Sequence, residues 1–89
     1  MRSIIPGGNN REQCFLCFNI PTDRHHCVYG CRRHKAEEWG LTVYLCRRCH
    51  SLLHDKGVND LFLKQVAQKT FEEKYSHELW MQEFGKDYL

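Results

Sequence analysis

The sequence predicts a small α+β domain held together by a metal, and three observations carry that expectation. The 89-residue chain has six cysteines and six histidines. Four of the cysteines stand in two CxxC pairs, and two short strand-like segments precede a stretch whose apolar residues take helical spacing. A core of this size supplies only about 3–5 kcal/mol by itself. A staple is therefore expected, and the cysteines and histidines are the groups that can form one.

Residues 1–13 include Pro6, Gly7, Gly8, Asn9 and Asn10 in a row and show no apolar periodicity, so they read as a flexible arm. Residues 14–89 read as one domain, with knuckles and a mixed core over 14–57 and helices over 58–89. Residues 23–29 and 41–45 contain β-branched and aromatic side chains, the second with alternating Thr42 and Tyr44, and both are expected as strands. The connection between them is polar, is bounded by Gly30 and Gly40, and suits one helical turn over 35–39.

From Cys49 the spacing is helical. His50, Leu53 and His54 fall on one side of a helix that Gly57 ends. Asn59 or Asp60 caps a longer helix whose stripe is Leu63, Val66, Ala67, Phe71 and Tyr75, with Lys64, Gln68, Lys69, Glu72 and Glu73 outside it. Ser76 caps a last helix that buries Leu79, Trp80 and Phe84 and closes at Gly85. Trp39 and Trp80 are assigned to the core.

The start, MRSIIPGGNN, lacks a secretory apolar run, and no stretch approaches the ~20 apolar residues of a membrane span. The expectation is a cytoplasmic protein without a membrane partner. In a reducing compartment, paired cysteines are metal ligands or redox centres more often than disulfides. Cys14 and Cys17, then Cys46 and Cys49, are separated by 28 residues. Each two-residue spacer lets two thiolates converge on one tetrahedral ion, so the four form a closed, structural zinc site. A redox CxxC normally occurs once.

Cys27 and Cys31 leave two readings open. Cys27 is a small buried hydrophobe, or Cys14, Cys17, Cys27 and Cys31 hold one zinc while Cys46, Cys49, His50 and His54 hold another. The second arrangement would be a binding module without catalysis.

His25 and His26 are adjacent on a strand and point to opposite faces unless they stand at its irregular end. His50 and His54, one helical turn apart, present two nitrogens on one face, which suits a divalent ion. Residues 24–56 hold seven basic side chains against three acidic ones. Positive charge thus gathers where the cysteines and histidines are, as expected if a polyanion docks there. Arg32, Arg33, Arg47 and Arg48 are the candidates for phosphate contacts, although Arg47 and Arg48 inside the knuckle read equally as solvated filler.

HHCVYG followed by LTVYLCRRCHSLLH, framed by the two CxxC pairs, resembles the HNH or His-Me finger endonucleases of the ββα-metal fold. The likeness runs over residues 14–54 and is strongest to small HNH-like proteins of bacteriophages, to which the FEEKY and FGKDYL segments are also similar. It implies a metal-dependent endonuclease acting on double-stranded DNA, in the host cytoplasm if the chain is phage-encoded. His26 is implied as general base, His25, His50 and His54 as ligands of a second, catalytic divalent metal (Mg²⁺, Mn²⁺, Ni²⁺ or Zn²⁺), and the four cysteines as holders of the structural Zn²⁺.

The family's central Asn falls at Gly40 or Leu41 here, and a backbone carbonyl is the expected substitute for holding the His26 ring. Recognition of a long site by so small a domain would call for a second copy of the chain or a larger phage protein. The alternative function is a non-catalytic zinc-binding module of the same fold that contacts nucleic acid or protein.

Overall fold

The computed structural model describes residues 2–89, so Met1 lies outside the described residues. The elements run β1 (Asp23–His26), a 3₁₀ turn (Gly30–Arg32), α1 (Arg33–Trp39), β2 (Thr42–Leu45), α2 (Arg47–Lys56), α3 (Asp60–Lys74) and α4 (His77–Phe84). The fold is α+β: one two-stranded antiparallel sheet with four α-helices among the described residues. Both strands are shorter than the sequence suggests. Cys27 and Val28 leave the ladder and turn into the core, where both are buried.

Register pairs Asp23 with Leu45, Arg24 with Tyr44, His25 with Val43 and His26 with Thr42. Side chains alternate across a strand, so His25 and Val43 share one face while Arg24, His26, Thr42 and Tyr44 share the other. Val43 and Leu45 are fully buried, and Leu53 on α2 joins the same core. The chain passes from β2 directly into α2, with Cys46 as N-cap: its Sγ accepts from Cys49 N at 3.4 Å.

The arm is a correction to the sequence reading. Among the described residues it carries no helix or strand, as its turn residues require, but it lies against the domain. Ile5 is buried in the core, Ile4 N donates to Gly40 O at 2.8 Å, and Ser3 Oγ donates to Thr42 O at 2.6 Å. Gly40 has φ 70°, and a Cβ there would meet the Arg2 carbonyl. Only glycine permits both the left-handed turn that ends α1 and this close approach. The covering segment also explains why Thr42, on the alternate face of β2, is buried.

The last helix caps as expected. Ser76 Oγ accepts from Leu79 N at 3.1 Å, and Gly85 closes α4 in the left-handed region. Asn59 precedes α3 with φ 64° and makes no side-chain cap bond. Leu63, Ala67 and Phe71 are buried, but Tyr75 is exposed, and Gln68, expected outside, is fully buried. Its amide is satisfied throughout: Nε2 donates to Glu72 Oε2 at 2.6 Å and Asp87 Oδ1 at 2.7 Å, and Oε1 accepts from Tyr88 N at 2.6 Å. A buried amide so paired carries little desolvation cost.

Aromatic rings close this side of the core. Trp80 stacks on Phe84 at 4.2 Å and meets Phe71 edge-on at 5.5 Å, while Trp39 meets Phe71 at 5.1 Å. Trp80→Ala is expected to cost about 3–5 kcal/mol, seen as a lowered denaturant midpoint with the metal bound. A change below about 1 kcal/mol would mean the α3–α4 pair adds little to the core.

Candidate functional site

Two clusters of ligand atoms draw on α2 and its N-cap. The first is Cys14, Cys17, Cys46 and Cys49, whose sulfurs all lie within 4.8 Å of one another. Residues 14–19 form the first knuckle, where Phe18 N donates to Cys14 O at 3.0 Å and Cys14 N to Asn19 O at 2.6 Å. Phe15 N donates to Tyr44 O at 2.9 Å, which fixes the knuckle to β2. The second knuckle is the first turn of α2.

Burial pushes the Cys14 thiol up, but the amides of Cys46, Cys17 and Leu16 outweigh it and draw it down to about 7. Cys49 is pushed up, first by burial and then by the sulfurs of Cys17, Cys46 and Cys14 around it. The opposition follows from geometry, because charge taken by one sulfur is refused to the next. A divalent cation removes that conflict, so the donor set and its tetrahedral count fit structural zinc. Cys27 and Cys31 stay outside the group. Cys27 is fully buried, and desolvation pushes its thiol to about 12, whereas Cys31 is exposed. The two-zinc arrangement is therefore not the one the chain adopts.

The second cluster is His25, His50 and His54, with ring nitrogens again within 4.8 Å of one another. His25 comes from the buried face of β1, and His50 and His54 from consecutive turns of α2. His50 Nε2 and His54 Nε2 face each other at 3.1 Å. On the far side of its ring, His50 Nδ1 lies 2.9 Å from Asp23 Oδ2, and Arg47 grips the same carboxylate from Nε and NH2, each at 3.2 Å. The His50 hydrogen bond, ahead of the Arg47 charge, holds Asp23 below the usual carboxylate range. An ionised Asp23 can only accept, so Nδ1 is the donor of this bond and Nε2 is the nitrogen left to face a metal.

Burial, reinforced by His50 and His54, lowers His25 to about 4. Its Nε2 is buried and is the side-chain atom left without a hydrogen-bond partner among the described residues. Leaving such an atom unsatisfied costs about 1–3 kcal/mol. Three imidazoles turned toward one point, one with an orphaned nitrogen, are chemically suited to a borderline divalent metal.

His26, the last residue of β1, is turned the other way. Its Nε2 lies 3.2 Å from Glu37 Oε2 on α1, and Arg24 NH1 grips Glu37 at 2.8 and 2.9 Å. Arg24 holds the Glu37 carboxyl down at about 2. Being ionised, Glu37 can only accept, so neutral His26 donates its Nε2–H to it and leaves Nδ1 as the basic atom. Burial lowers His26 below its ordinary 6.5 by more than the Glu37 bond raises it. His25, His26, His50 and His54 nonetheless line one cleft of about 420 Å³, with Arg24, Tyr29 and Arg33 on its walls.

No family model, curated protein or solved structure matches the chain.

Of the four candidate arginines, Arg33 lines the cleft and Arg48 is exposed on α2. Arg32 Nε instead donates to Phe84 O at 2.6 Å, which ties the 3₁₀ turn to the end of α4, and Arg47 braces Asp23. The sequence reading missed Asp23, Glu37 and Asp60. Asp23 and His25 stand two apart on a strand, a spacing that puts both on one face and could have signalled the pair. Tyr29 OH donates to Asp60 Oδ1 at 2.8 Å, and Lys64 pairs with the same carboxylate at 2.9 Å. Burial and Asp60 raise Tyr29 to about 12, so it stays protonated as a wall of the site.

Proposed function

We propose that the chain is a metal-dependent endonuclease of the HNH type, hydrolysing DNA phosphodiesters in the histidine cleft. One observation carries the reading. Three imidazoles with an orphaned buried nitrogen converge beside a fourth that a carboxylate orients, all in one cleft next to a closed four-cysteine site. A purely structural domain has no use for a second set of nitrogen ligands. The order β1, β2, α2, with ligands on the strand and the following helix, also suits a ββα-metal fold.

His26 acts as the base. Glu37 fixes its Nε2–H tautomer, so Nδ1 accepts a proton from water as the water attacks phosphorus in line. His25, His50 and His54 hold a divalent cation, and Asp23 fixes the nitrogen that His50 presents. When bound, that cation polarises the phosphate and stabilises the leaving oxygen. Arg33 is placed to contact the phosphate backbone. Glu37, rather than a backbone carbonyl, does the orienting work that the missing central Asn leaves undone.

Gly40 and Leu41, standing where the resemblance expects that Asn, favour the second reading: a zinc-binding module with the same fold and no chemistry. Plasmid nicking separates the two. With one zinc per chain in the cysteine site, added Mn²⁺, Ni²⁺, Zn²⁺ or Mg²⁺ is expected to start nicking of supercoiled DNA. His50→Ala should weaken the affinity for that metal by about 10–100-fold or more, so that nicking needs correspondingly more of it. Absence of nicking with every metal would support the binding module.

A further inference from the structure

Beside the histidine cleft lies a second hollow of about 420 Å³, lined by Arg2, Asn9, Arg11, Arg24 and Tyr44. Three guanidiniums border it and no carboxylate does, among the described residues. Arg24 lines both spaces and so joins them. Register places Arg24 opposite Tyr44 and two residues from His26 on the same strand face. That offset is roughly 6–7 Å, about the axial rise of two nucleotides in one strand.

The N-terminal segment is braced in place. Asn9 Oδ1 accepts from Ser3 N at 2.9 Å, Asn9 Nδ2 donates to Ser3 O at 2.8 Å, and Ile4 N is bonded to Gly40 O. The backbone from Ser3 to Asn9, between the two arginines, is therefore fixed beside the hollow that Arg2 and Arg11 line. Arg11 lies over the Tyr44 ring at 5.5 Å, which orients its guanidinium plane. Arg24 is already paired with Glu37, so the positive charge that an anion in the hollow would meet first is that of Arg2 and Arg11, whose mutual repulsion an anion between them relieves.

We propose that Arg2, Arg11 and Arg24 form a phosphate track, so that a DNA strand leaving the histidine cleft is held across Arg24 by the N-terminal segment. The proposal rests on the nuclease reading. Arg24 is left unsubstituted in its test because it also positions Glu37. The test compares binding of a short fluorescein-labelled DNA duplex by three zinc-loaded proteins across a salt series: the His26→Ala chain, the same chain with Arg2→Ala and Arg11→Ala, and a charge-matched control with Lys69→Ala and Lys74→Ala.

Loss of two phosphate contacts is expected to weaken binding about tenfold or more and to reduce the slope of log affinity against log salt by about 2. The control should change the slope by less than half that. An unchanged slope in the arginine variant, equal slopes in variant and control, or no binding by the His26→Ala chain would each overturn the track. Loss of slope together with a wild-type chain that fails to nick DNA whichever of the four metals is added would uphold the track as a nucleic-acid contact and overturn the nuclease reading.

Discussion

A Cys46→Ser chain is expected to lose its zinc and, with it, any cooperative unfolding transition. Cys46 has two roles at once: it is one of four sulfurs within 4.8 Å, and it caps α2 through the Cys49 amide. Serine can still cap, since its oxygen accepts from the same amide, so the substitution isolates the metal contribution. Structural zinc binds with an apparent free energy of about 10–16 kcal/mol in small domains. Against that stands a core worth about 3–5 kcal/mol. Zinc held by the four sulfurs would therefore decide whether the chain folds.

The same balance predicts that a chelator unfolds the unsubstituted protein and that zinc restores it. Cys31→Ser, at an exposed sulfur outside the cluster, should retain about one zinc per chain and an unchanged far-UV spectrum. A folded Cys46→Ser chain without zinc would show that the aromatic core of α3 and α4 suffices and that the four cysteines are dispensable to the fold.

The cysteine cluster was legible because its geometry is local. A two-residue spacer sets each pair, and only the meeting of two pairs needed the fold. His50 and His54 were legible for the same reason, one helical turn apart. What escaped the sequence were contacts that depend on how separate elements are phased. Glu37 reaches His26 only because α1 packs across the end of β1, and nothing in EEWG signals that Glu37 rather than Glu38 faces inward. Gln68 reads as a solvated residue until the C-terminal segment brings Asp87 and Tyr88 to its amide. The arm misled in the opposite sense: its turn residues were read correctly, but the Ile4–Ile5 pair among them was the sign of an anchor.

The largest effect on chemistry is expected at His26. His26→Ala should lower the rate of metal-dependent nicking by about 10²–10⁴-fold, the usual contribution of a positioned general base. Zinc content and the unfolding midpoint should stay near those of the unsubstituted chain, because the side chain faces Glu37 and the cleft and is not among the four sulfurs or the three converging nitrogens. The pH profile gives the assignment a sharper edge. The base must be neutral to accept a proton, so activity falls as pH drops through its pKa. Burial sets that pKa below 6.5 despite the opposing Glu37 bond, which puts the acid limb below 6.5 as well, and a cation held at the adjacent His25 moves it further the same way. Glu37→Gln removes the carboxylate that raises the His26 pKa, so its limb should shift still lower while the plateau rate drops through loss of the fixed tautomer. A Glu37→Gln limb displaced to higher pH would mean that the titrating base is some other group. A His26→Ala chain that nicks at the full rate would leave the converging histidines as a metal site without a base, and the cleft would then have to be read as a binding surface.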